Sequence, residues 1–193
     1  LSVVKGGGHQ IFQHFHIVGI DQRRVDLEGA HFAFAVQGDA DQAAAGAALA
    51  AVKAASEAGL TVSCDLNFRK KLWNWQPGTD TVELARETMR GLMPFINVVI
   101  ANEEDCDLCL GIRAEETDVE SGQLNVDAYQ SVARQIVADF PNVSSVAITL
   151  RESISASHNN WGAMLLDASS DTTHFAPLDS QAAYRPYEIR NIV

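Results

Sequence analysis

Apolar positions along the chain fall into short unbroken runs separated by longer stretches with helical spacing. His31-Phe32-Ala33-Phe34-Ala35-Val36 is one such run and predicts a buried strand, broken by Gly38 and Asp39. Asp41 then opens an Ala-rich stretch that predicts a helix ending near Gly59, since Ala is the best helix former and Gly suits the position past a helix end. Leu60 to Asp65 reads as the next strand and runs straight into Asn67, Phe68 and Arg69. A helix is predicted from Thr81 to Met93 with Pro94 as its stop, then a strand from Ile96 to Ala101. Asn102-Glu103-Glu104-Asp105 opens another helix, where acidic residues suit the positive N-terminal end. Asp127 to Phe140 shows helical spacing up to Pro141, and Val146–Leu150 and Trp161–Leu166 read as strands.

Strand and helix in alternation predict an α/β fold: a doubly wound, mostly parallel sheet with helices on both faces. Ligands bind such sheets beyond the carboxyl ends of the strands. That rule selects Asp65–Arg69, Asn102–Asp105 and Leu150–Ser153. The stretch from Gly111 to Asn125 is long and acidic and reads as a solvated connection. Gly6-Gly7-Gly8 is a break, and Ile11 to Ile20 reads as a strand or a hairpin arm.

The net charge of −11 makes nucleic acid an unsuitable partner, because phosphate contacts need clustered Lys and Arg. The dense basic cluster Arg69-Lys70-Lys71 can still meet a small anion. Three cysteines, Cys64, Cys106 and Cys109, do not make a disulfide scaffold and fit a reducing cytosol. No apolar run is long enough to span a membrane, and no signal peptide is visible. A cytoplasmic location is therefore expected.

Asp65 and Asn67 are two apart and share a face where the strand frays, within reach of Arg69. A guanidinium matches a carboxylate or phosphate in bidentate geometry, and Asp and Asn bond sugar hydroxyls. By spacing alone, a loop-closing Asp–Arg pair with an Asn turn is the simpler reading. The Asn102–Asp105 carboxylates can hold Mg²⁺, which prefers one or two carboxylates plus phosphate oxygens, or merely form an acidic first turn. Thr149, Arg151 and Ser153 can meet a polyphosphate, or form a polar surface loop. Cys106-x-x-Cys109 lies on a predicted helix with no second pair, which favours packing over zinc. His9, His14 and His16 lack a further convergent metal ligand.

Three stretches carry a resemblance: Val62 to Trp73, Ile100 to Asp105, and Val146 to Trp161. In order and spacing they resemble the ribokinase-like, PfkB-type carbohydrate kinases, most closely the 2-keto-3-deoxygluconate kinase branch. The resemblance covers residues 26–193, a partial ribokinase-like domain, and leaves 1–25 unassigned. It implies transfer of the ATP γ-phosphate, with Mg²⁺, to a small-molecule sugar acid. It implies that Arg69, with Asn67 and Asp65, holds the substrate, and that Asn102, Thr149, Arg151 and Ser153 face the nucleotide. It also implies that Asp105 and Glu104 lie near Mg²⁺, with Asp105 where the family has Glu. Many relatives have Gly where Arg151 stands. The family's proton-accepting Asp belongs to a Gly-x-Gly-Asp that is absent from these residues. The chain reads as truncated at both ends, without most of the small lid, and the polypeptide alone is expected not to phosphorylate. Strands apolar on both sides would then allow a homo-oligomer. A non-catalytic binding module and a decayed scaffold are the competing readings.

Overall fold

The computed structural model describes residues 15–18, 42–113, 126–155 and 158–190. The elements in chain order are β1 (Phe15–Val18), α1 (Gln42–Glu57), β2 (Thr61–Asp65), α2 (Thr81–Leu92), β3 (Val98–Ala101) and α3 (Glu103–Leu110). Then come α4 (Val126–Asp139), β4 (Ser145–Ser155), β5 (His158–Asp167), β6 (Thr172–Ala176) and β7 (Tyr187–Arg190). Short 3-10 turns cover Lys70–Leu72 and Met93–Phe95. The run expected as a strand at 31–36, the connection at 114–125, and His9 and His14 lie outside the described residues.

Local chemistry sets the helix ends. Asp80 caps α2, its side chain accepting from the N–H groups of Val82 at 2.8 Å and Glu83 at 3.2 Å. Leu84, Ala85, Met89 and Leu92 form the buried stripe of that helix. Gly111, at φ 72°, ends α3 in the left-handed conformation that Gly adopts without strain. Two side chains of α2 also reach carbonyls at that end. Arg86 Nη2 donates to Asp107 O at 3.0 Å, and Arg90 Nη1 to Leu110 O at 2.8 Å. Cations are favoured at a helix C-terminus.

The sheet is mixed. β2, β3 and β4 are parallel neighbours, β1 lies antiparallel on β2, and β5 lies antiparallel on β4. The far edge of β5 is shared end to end: β6 pairs with Ala163–Asp167 and β7 with His158–Trp161. Five of the seven described strands (β2, β3, β4, β6 and β7) therefore run in the same direction.

Burial alternates along the strands. Cys64, Val99 and Val146 share one row, and Ala101, Ile148 and Met164 another; all six are at most 2% exposed. On the opposite face Asp65, Ile100 and Ala147 are half-buried and Leu165 is exposed. Each described helix packs on the next, α1 on α2, α2 on α3 and α3 on α4, while α1 also meets β2 and α4 meets β4 and β5. The physical reason is the hand of the crossovers. The steps from β2 to β3 and from β3 to β4 move in one direction, and right-handed connections then leave their helices on one face. The second helical layer expected from the doubly wound pattern is not among the described elements.

The hairpin departs from expectation. Thr149–Ser153, read from the sequence largely as a loop past a strand, continues β4 to Ser155. The ladder with β5 carries it: Arg151 sits opposite Trp161, with its guanidinium 5.3 Å from the indole centre. The polar half of the hairpin thus stands beyond the carboxyl ends of β2 and β3.

Gly162 is fixed by contact. A Cβ there would lie 2.8 Å from the Cε2 and Cζ ring carbons of Tyr184 and closer still to its hydroxyl. Tyr184 in turn packs on Phe175, with ring centroids 5.7 Å apart. Gly162→Ala is expected to push this ring out and lower stability by ~1–3 kcal/mol, read as a fall in urea midpoint at constant slope. An unchanged midpoint would show that the ring moves freely. No helix among the described residues is long and apolar enough to cross a membrane.

Candidate functional site

Parallel strands bring the ends of β2, β3 and β4 to one edge, and two of the three selected segments meet there through a backbone N–H and a side-chain carboxylate. Leu66 N–H donates to Ile100 O at 2.9 Å, so β2 is still paired to β3 one residue past its end. The chain then turns at Asn67, whose φ of 32° is one that Asn tolerates better than most residues. Phe68 N–H, released from the ladder, donates to Asp105 Oδ1 at 2.8 Å. Arg69 follows, exposed, with Nη1 on Phe68 O at 3.1 Å.

The partner of that amide sits in the first turn of α3. Asn102 caps this helix, its Oδ1 accepting from Asp105 N–H at 2.8 Å. The Asn102 N–H lies on the side of the Asp105 carboxylate, where it helps to hold the carboxyl pKa down. Asp105 stands at the third helical position, where a capping box places its acidic residue. Asp105 is only 8% exposed. Burial raises its pKa above the ordinary carboxylate value, against the Phe68 and Asn102 amides. The charge of Asp65 adds to the rise and that of Arg69 opposes it, so the three ionic groups are electrostatic neighbours.

The remaining expected residues fall around this pair of turns. Asp65 ends β2, half-buried, on the less covered face of the sheet. Thr149 is exposed on that same face, with Oγ1 donating to Ala101 O at 3.4 Å. Arg151 lies on the hairpin, its Nε donating to Asn159 Oδ1 at 3.1 Å. Ser153 is in β4 opposite Asn159. Glu104 is exposed on the first turn of α3.

Three participants had no role in the sequence reading. Asn159 and Trp161 hold Arg151, and only the hairpin register reveals them as its partners. Tyr129 of α4 lies near Glu103, and burial together with that carboxylate raises its hydroxyl pKa well above the ordinary value. Helical spacing offers no signal for that contact. Cys106 and Cys109 are 0% exposed, packed in the core as expected.

Mg²⁺ is the metal that the fold family implies. Among the described residues no group of three His, Cys, Asp or Glu side chains converges as a cage. Mg²⁺ carried on phosphate needs only one or two carboxylates. Exposed Glu104 fits that demand. Asp105 fits it poorly, being buried with its carboxylate engaged by the Phe68 amide.

No family model and no curated protein matches the chain. Solved structures do. A 2-dehydro-3-deoxygluconokinase from Thermotoga maritima is 38% identical, with a TM-score of 0.57, over 74% of this chain and 36% of that one. A PfkB family carbohydrate kinase from Listeria grayi is 23% identical, with a TM-score of 0.55, over 77% of this chain and 37% of that one, which shows the fold. The chain spans little more than a third of the length of either. By sequence identity to the first and by the architecture common to both, the chain is similar to the PfkB-type carbohydrate kinases.

Proposed function

We propose that residues 26–193 supply the substrate edge of an ATP-dependent sugar-acid kinase, with 2-keto-3-deoxygluconate as the acceptor. The likeness to a 2-dehydro-3-deoxygluconokinase supports the substrate. The observation that carries the reading is the Arg69 turn, tied by one hydrogen bond to the capped N-terminus of α3 at the carboxyl edge of the parallel strands.

In this reading Arg69 receives the sugar-acid carboxylate, since its exposed guanidinium can bond two oxygens at once. Asn67 and Asp65 meet hydroxyls of the same substrate. Thr149, Arg151 and Ser153 on the hairpin, with Asn102 across the edge, face the nucleotide. Arg151 is pre-oriented there by Asn159 and Trp161, so little freedom is lost when an anion arrives. Mg²⁺, brought with ATP against Glu104, would neutralise charge on the transferring phosphoryl group. These residues bind and orient, and no Gly-x-Gly-Asp lies among them to accept the hydroxyl proton. The test is therefore one of binding. Calorimetry of the chain with 2-keto-3-deoxygluconate is expected to give saturable heat, and fructose, which lacks the carboxylate, a weaker signal. Equal signals for the two, or no heat with either, overturn the assignment.

A further inference from the structure

The geometry points to Asp105 as a positioning residue for the substrate turn, a strut that holds Phe68 and Arg69 in place. This rests on the proposed sugar-acid reading for its functional half and on hydrogen-bond geometry alone for its structural half. The carboxylate lies between two segments far apart in sequence, accepting from Phe68 N–H at 2.8 Å while it completes the cap of α3 with Asn102. Phe68 N–H would otherwise lack an acceptor at the point where β2 leaves the ladder. A half-buried backbone donor left unpaired there would draw the turn outward to water. Arg69 is the next residue, and its own Nη1 folds back to Phe68 O at 3.1 Å. The direction of the guanidinium therefore depends on the peptide that Asp105 holds. Ligand contacts are sensitive to such placement, because a shift of about 1 Å can remove much of a bidentate interaction.

The side chain's position also accounts for its length. Asp at the third helical position reaches the neighbouring turn while remaining 8% exposed. A phosphate-borne metal ion would have to compete with the Phe68 amide to use this carboxylate. Exposed Glu104, one residue earlier, faces no such competition.

Two substitutions separate the strut from a metal ligand. Asp105→Asn keeps an oxygen that accepts from Phe68 N–H and removes the charge. Asp105→Ala removes the acceptor. In the ligand-free chain, hydrogen exchange at the Phe68 amide is expected to stay slow in Asp105→Asn and to speed by about tenfold or more in Asp105→Ala. Similar fast exchange in both variants overturns the strut. Should Asp105→Ala fail to fold, the Asn variant decides alone, since slow exchange there supports the strut and fast exchange sinks it.

Calorimetry with 2-keto-3-deoxygluconate then reads the functional half. Asp105→Ala is expected to weaken binding about tenfold, and Asp105→Asn to leave it within about threefold of the parent chain. Combining Asp105→Ala with Arg69→Ala should cost no more than Arg69→Ala alone, because the strut acts through that residue. Additive losses place the effect elsewhere and overturn the positioning role. Mg²⁺-dependent binding of a non-hydrolysable ATP analogue should survive Asp105→Asn. Its selective loss would make Asp105 a ligand. If the parent chain binds no sugar acid, the proposed function fails while the exchange result still stands or falls on its own.

Discussion

Arg69→Ala is expected to weaken binding of 2-keto-3-deoxygluconate by roughly 10- to 100-fold. A hydrogen bond between charged partners contributes about 1.5–3 kcal/mol, and about 1.4 kcal/mol corresponds to each factor of ten. Arg69 is exposed, so solvent screening keeps the expectation toward the lower part of that range. Arg69→Lys keeps the charge and loses the planar fork, and should fall between the parent and the alanine variant. Fructose supplies the internal control: without a carboxylate to lose, its affinity should change by less than about threefold. Equal losses for the two sugars would show that Arg69 shapes the cleft in general. No loss with either would falsify the carboxylate assignment. Raised ionic strength should narrow the gap between parent and Arg69→Ala, as screening of an exposed ion pair demands.

Much of the helical frame was legible because its determinants are local. Gly59, at φ 72°, lies just past α1, Pro94 falls in the 3-10 turn that follows α2, and Asn102 starts α3 with its own side chain. The acidic residues after Asn102 were likewise readable as the first turn of a helix. What spacing cannot show is the second use of Asp105. Its contact with Phe68 spans 37 residues and exists only because β2 and β3 are parallel neighbours. The acidic cluster therefore read as a metal site or a simple first turn, and the structure adds a third role.

The hairpin shows the opposite limit. Arg151 to Ser155 has no apolar alternation, so the strand signal fades after Leu150. It persists in the fold because every residue but Ile154, which falls at a register shift, gains a ladder partner, and the Arg151 guanidinium also lies over Trp161. Thr172–Ala176 escaped notice for a similar reason, since only Phe175 in that strand packs against the core. The unequal cover of the two sheet faces was also hidden. Val98, Ile100 and Ala147 are as apolar as the residues between them, so the strands read as apolar on both sides. Only the hand of successive crossovers settles which side the described helices cover.

That sidedness carries the largest expected stability effect. Ile148 is 0% exposed in the middle of β4, paired with Ala101 of β3 and Met164 of β5. Ile148→Ala removes three carbons from a site closed in by neighbours that are themselves buried, and the surrounding strands cannot collapse to fill it. The expected loss is ~2–5 kcal/mol, the sum of lost transfer energy and the cavity left behind. Leu165 is of similar size, lies in the adjoining strand, and points to the opposite face with 41% exposure. Leu165→Ala should cost less than about 1 kcal/mol, because much of its surface already meets water. Urea denaturation of the two variants beside the parent chain reads the difference directly, provided the slopes agree. A large gap places the core under the helices alone. Comparable losses from both positions would mean that the second face is covered as tightly as the first, and that residues beyond the described helices pack on it.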